Sequence, residues 1–214
     1  MNIHRHTTRG FTLVELLISL IITVMVGSAL ATLLYAVARS TEIGIETHEI
    51  VIRSHALDSR VGMYTNDALA LLDVKDDGSG FAIWLSDSRE SGTVHATEIR
   101  WFVMDTAADT LTVQFVKFPD NWDQAQKDLY DTEYSATGMA DGDAWWTVRD
   151  DFQGQGYLGS TLIGDKLSDL QLTYQGADEY DADRIIISYI FDQADGKQSQ
   201  IMTVSSFEDH TIPG

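Results

Sequence analysis

No cysteine occurs among the 214 residues, which excludes disulfides and thiolate metal sites and leaves no redox clue to the compartment. Positive charge is scarce as well, with 14 Lys and Arg against 33 Asp and Glu and a formal net charge of -19. The imbalance concentrates late in the chain: Asp73 to Gly214 holds 27 acidic and 9 basic residues, about -18 in all. A surface this acidic repels a phosphate backbone, so direct contact with nucleic acid is not expected. It suits solubility in exposed or salty surroundings, or the use of clustered Asp as ligands for a divalent cation. Catalytic signatures are missing too. Ser, His and Asp are all present, but there is no Gly-x-Ser-x-Gly elbow, HExxH pair or phosphate loop, so neither an enzyme nor an organic cofactor is expected. Apolar residues make up 44% of the chain, enough for a membrane helix plus one modest packed domain.

The first forty residues decide the class. Leu16 to Ala38 is an uncharged run of 23 residues. As a helix it spans about 34 Å, enough to cross a bilayer core. His4, Arg5, His6 and Arg9 precede it, and Arg39, Glu42, Glu46 and Glu49 follow. Basic residues stay on the cytoplasmic side, so the expectation is a single-pass protein of the inner membrane with its N-terminus inside and its remainder outside. Three readings compete: a plain anchor, a Sec signal peptide cut at Ala29-Leu30-Ala31, and a short leader ahead of a retained helix. Glu15 discriminates among them. A carboxylate near the start of an apolar run is expensive in lipid, and neither a disposable signal nor a plain anchor gains from it.

The segment Arg9-Gly10-Phe11-Thr12-Leu13-Val14-Glu15 resembles the cleavage and methylation motif of type IV prepilins and type II secretion pseudopilins. The resemblance covers about residues 9 to 38. It implies that a prepilin peptidase cuts between Gly10 and Phe11 at the cytoplasmic face and N-methylates Phe11, leaving Glu15 as an assembly residue. The new ammonium at Phe11 would have a reference pKa of about 7.7–8.0, and Glu15 lies one helical turn away. In that family the favoured partner of this glutamate is the terminal amine of a neighbouring subunit, a pairing that neutralises two buried charges and fixes the axial register. Partners implied by the resemblance are the peptidase, other major and minor pilins or pseudopilins, and inner-membrane lipid. Gly27, Ser28, Ala29 and Ala31 would also permit close helix approach, as would ordinary membrane packing.

The expected organisation is a leader at 1–10, a transmembrane half-helix at 11–38, an amphipathic half at 39–75 and a β-rich head at 76–214. The fold class is α+β, a long pilin-like helix packed on an antiparallel sheet. A stripe at Ile43, Ile50, Leu57, Tyr64 and Leu71, filled in by Val61 and Ala68, predicts the helix and favours docking on a sheet over a free coiled coil. Asp76-Asp77-Gly78-Ser79-Gly80 is expected to end it. Strands are predicted at Phe81–Leu85, Glu98–Met104, Leu111–Phe118, Leu170–Tyr174, Arg184–Phe191 and Ile201–Phe207, with hairpin turns at 105–110 and around Asp195-Gly196. Residues 119–161 read as an irregular insertion with one short helix near 123–130. This order, with its late strand pair, is similar to a J-type minor pseudopilin, although Asp183 stands where a proline would be expected.

Other candidates are weaker. Asp178, Glu179, Asp181 and Asp183 fall within six residues and could wrap a calcium ion, but their spacing is not that of an EF-hand, and a solvated acidic loop accounts for them too. Asp73, Asp76, Asp77, Asp141 and Asp143 are lesser metal candidates. His48 and His55, two turns apart, are too distant to share an ion. Trp122, Trp145 and Trp146, with Tyr130 and Tyr134, suit either an interface or a local core.

Overall fold

The computed structural model describes residues 12–89, 92–135, 139, 144–193 and 196–207. Its order is α+β, a long N-terminal helix followed by an antiparallel head. Contacts divide the chain into two units, Met1–Glu46 and Thr47–Gly214. Helix α1 (Leu13–Thr65) begins in the first and ends in the second.

In the first unit α1 is apolar on every side. Leu13, Leu16, Leu20, Val24, Leu33 and Tyr35 are all at least 60% exposed. A helix hydrophobic all round needs an apolar surrounding, and among the described residues this is the one helix long and apolar enough to cross a membrane. Its hydroxyls already suit such a place. Thr23, Ser28 and Thr32 each donate to a carbonyl one turn back, on Ser19, Met25 and Ser28, at 2.8–2.9 Å. No hydroxyl proton is thereby left facing hydrocarbon at those positions.

The second unit is built on a five-stranded sheet of order β1 (Ala70–Val74), β2 (Gly80–Trp84), β4 (Ile99–Asp105), β5 (Thr110–Val116) and β7 (Leu158–Asp165). A three-stranded sheet joins β8 (Asp169–Gln175), β9 (Arg184–Asp192) and β10 (Gln198–Ser206), with β9 in the middle. A two-residue pair joins β3 (Val94–His95) to β6 (Glu133–Tyr134). Every pairing is antiparallel.

The larger sheet is covered on both faces. One face packs on Leu57 and Val61 of α1 and on Ile185, Ile187 and Phe191 of the smaller sheet, through Phe81, Ile83, Phe102, Leu111 and Val113. There Phe81 stacks on Phe102 with ring centroids 4.5 Å apart, and Tyr64 meets Phe102 edge-on. The opposite face, through Ala82, Trp84, Ile99 and Trp101, packs on α3 (Ala144–Gly154) by way of Trp145, Trp146, Val148 and Phe152. This double covering explains the unbroken run Gly80-Phe-Ala-Ile-Trp84, buried at all five positions.

Two expected boundaries move. The amphipathic half predicted to reach residue 75 stops at Thr65, and Ala70–Val74 is strand β1. Ala70, Leu71 and Leu72 are buried in succession because the two cores lie on either side of them, and such a run does not distinguish helix from strand by period. Asp76–Gly80 is therefore the β1–β2 turn and not a helix stop: Gly78 takes φ +72° and Asp77 accepts the Ser79 N–H at 2.8 Å. The insertion at 119–161 is also more ordered than expected. Besides helix α2 (Gln124–Tyr130), capped by Asp123, it contains α3 and the first half of edge strand β7. Glycines at 154, 156 and 159 had disguised these elements as loop.

Candidate functional site

The N-terminal motif enters the described residues at Thr12, where the first turn of α1 forms. Glu15 Oε2 accepts the Thr12 N–H at 2.9 Å and the Thr12 hydroxyl at 2.9 Å. The Thr12 hydroxyl oxygen accepts the Glu15 N–H at 3.3 Å. This is a reciprocal capping box, Thr-x-x-Glu, which satisfies helix-start donors that lipid could not. A carboxylate also complements the positive end of the helix. Glu15 is the only charged residue from Leu13 to Ala38, and the geometry gives it a local partner that sequence reasoning did not foresee. Gly10 and Phe11, the expected cleavage pair, lie outside the described residues.

Three of the four late carboxylates are used at their own loop. Glu179 accepts the Tyr174 hydroxyl at 3.0 Å, Asp181 accepts the Ala177 N–H at 3.2 Å and Asp178 accepts the Asp181 N–H at 2.9 Å. Asp183 serves through its backbone, its N–H donating to Gln175 and its carbonyl accepting from Phe207. Burial, and then the hydrogen bond and charge of Glu179, pushes the Tyr174 phenol above its usual range. Among the described residues no three His, Asp or Glu side chains gather where an ion could be held. Asp141 and Asp143 fall outside the described residues. His48 and His55 are exposed on α1.

The aromatic group divides in two. Trp145 and Trp146 are core: the Trp145 carbonyl accepts Trp101 Nε1–H at 3.0 Å, and Trp145 Nε1–H donates to the Tyr180 hydroxyl at 2.8 Å. Tyr180 thus fastens the acidic loop to α3. Trp122 and Tyr130 instead form a half-exposed cluster with Phe118 and Tyr157, ring centroids 4.8–6.1 Å apart.

Two buried carboxylates escaped notice in the sequence because no spacing marks them. Glu98 accepts Trp84 Nε1–H at 3.1 Å, the Ser88 N–H at 2.7 Å, the Ser88 hydroxyl at 2.6 Å and the His95 N–H at 3.0 Å. Asp131, at the C-terminus of α2, accepts the Thr97 N–H and hydroxyl and pairs with Arg89 at 2.8 Å. Together they fasten the connection between β2 and β4 to the end of α2. Their bonds are all spent on holding loops, which gives them a structural and not a chemical task.

Residues 5–31 match a family model described as the prokaryotic N-terminal methylation motif. No curated protein matches the chain. The match falls on the segment that contains the capping box, Glu15 and the start of the apolar helix, and it implies processing by a prepilin peptidase and assembly with other pilins. The chain therefore carries the prepilin-type cleavage and methylation signal of the type IV pilin and pseudopilin superfamily.

Proposed function

We propose that this protein is a minor pseudopilin, a structural subunit that helps to initiate or cap the periplasmic pseudopilus of a type II secretion system. The observation that carries the filament reading is a lone carboxylate retained in the first turn of an all-round apolar helix, within the matched methylation motif. After cleavage between Gly10 and Phe11, the terminal ammonium and Glu15 supply opposite charges for a low-dielectric layer, within one chain or between neighbours. The helix would hold the subunit in the inner membrane, with the head in the periplasm, until it enters the filament. The final three-stranded sheet, set after the insertion, supports the minor-subunit assignment.

A minor pilin of a pilus or competence system is the second reading, since the methylation motif serves both. The test is intact-mass and N-terminal analysis of the purified protein. The expected product begins with N-methyl-Phe at residue 11, whereas a start at Thr32 or at Met1 would end the filament reading. Co-purification with secretin-associated minor pseudopilins, as against pilus subunits, separates the two systems.

A further inference from the structure

Edge strands of antiparallel sheets are normally protected by charge, bulges or cover. In the two larger sheets three of the four edges obey. Strand β1 carries Asp73 and a register shift, β7 carries Asp165 and a bulge whose Ile163 carbonyl accepts Arg60 at 2.7 Å, and β8 opens with Asp169. Strand β10 has none of these. Its nine residues contain no charge and no proline, and they pair with β9 in an unbroken register from Gln198 to Ser206. Among the described residues no strand pairs on its other side. Met202 and Val204 stand 67% and 59% exposed along it.

Beside that edge runs an open groove of about 390 Å³, lined by β10, by Asp58, Ser59, Gly62 and Met63 of α1, and by Asn66 just after the helix. The strand is held against the helix by Thr203, whose hydroxyl donates to Asp58 at 2.7 Å, and by Ser205, whose hydroxyl donates to Thr65 at 2.9 Å. Gly62 is the independent sign. Glycine weakens a helix interior, yet a Cβ there would meet only the Asn66 side chain, at an ordinary 3.6 Å. Nothing within the head requires glycine at this position, but a backbone laid in the groove would.

We infer that the free edge of β10 and the groove beside it form a strand-addition site for an extended segment of a different polypeptide. The added strand takes the vacant backbone donors and acceptors of β10 and approaches Gly62 closely. Charge selects the occupant. The groove contains Asp58 and no basic residue, and the head carries about -18 between Asp73 and Gly214. A second copy would bring a second Asp58 and a second acidic head, so the fitting segment is uncharged along the strand with a Lys or Arg facing Asp58. The inference rests on the head alone and holds whichever filament the protein joins.

The test uses the full chain in detergent micelles and a synthetic peptide as long as β10, alternating Thr and Val around one Lys. The expected result is slowed amide hydrogen exchange across 198–206. Binding should be about tenfold weaker when the peptide Lys is replaced by Glu, the scale of one charge-assisted hydrogen bond, and absent when alternate peptide nitrogens are methylated. Gly62→Leu, which fills the groove, and Val204→Lys, which leaves the helix untouched, should each weaken binding by about tenfold or more. Failure of the Lys peptide to protect β10, or equal binding by the methylated peptide, would overturn the inference. So would protection that rises with the concentration of the protein alone, which would make a second copy the occupant.

Discussion

Replacing Glu98 is the sharpest test of how the head is held together. Its two oxygens take four donors, and two of these, Trp84 Nε1–H and the His95 N–H, belong to buried residues. Ser88 lies nearer the surface and can turn its hydroxyl and N–H to water. Glu98→Ala therefore strands two buried donors at about 1–3 kcal/mol each, a loss of about 2–6 kcal/mol. For a domain with a typical total of about 5–15 kcal/mol this is severe, and it corresponds to a fall in Tm of very roughly 5–20 °C. Glu98→Gln keeps one carbonyl oxygen as an acceptor but turns an NH2 toward the remaining donors, so it should recover about half the loss. The assay is urea unfolding of the detergent-solubilised chain followed by tryptophan emission, which reports on the five tryptophans of the head, Trp84 among them. If Glu98→Ala stays within about 0.5 kcal/mol of the parent protein, the bonds to Glu98 do not stabilise the head and the reasoning fails.

Glu15 separates capping from charge pairing: Glu15→Gln retains an acceptor for Thr12 but no charge, whereas Glu15→Ala loses both. Leader cleavage should survive in both variants while filament incorporation falls by about a hundredfold in both, as for a buried ion left unpaired; if Glu15→Gln incorporates normally, the glutamate is only a cap. Gly80→Ala should destabilise the head by about 3 kcal/mol or more in the same unfolding assay, because the new Cβ would stand 2.4 Å from the Phe102 carbonyl oxygen and 2.7 Å from the Trp146 ring. Asp77 is held near a pKa of about 2, below its ordinary 3.8, by the Ser79 hydroxyl and N–H and by Lys75. Its folded-state pKa is the lower one, so its contribution to the β1–β2 turn is complete above about pH 4 and fades as pH drops toward 2. Carboxyl titration by NMR should show this midpoint, and Ser79→Ala should move it upward.

How much could be read from the chain alone depended on how strictly a period was enforced. Ile50, Leu57 and Val61 face one core and repeat at helical spacing, so α1 was visible through the head. Strands β4 and β5, which alternate between the two cores, were legible with their hairpin at 105–110. Where both faces of an element are buried the alternation disappears, and Ala70-Leu71-Leu72 reads as the tail of a helix. Strand β7 was hidden for a different reason. Gly159 leaves room for the Phe115 ring and Gly164 for Leu57, so tight packing was written in the residue that usually signals a loop. The methylation motif was plain because a peptidase reads it linearly, but its capping box was not drawn from the same letters. Glu98 and Asp131 could not be found at all, since their partners come from segments that meet only after folding.

The main sheet, sealed on both sides, acts as a bulkhead. Its backbone separates the layer gripping α1 from the layer of tryptophans, and few side chains reach across. Damage on one side should leave the other nearly untouched, so substitutions at Leu57 and at Trp145 should add in unfolding free energy with little coupling. A head partitioned this way can rebuild its aromatic flank around new loops while the surface that seats the helix stays as it was.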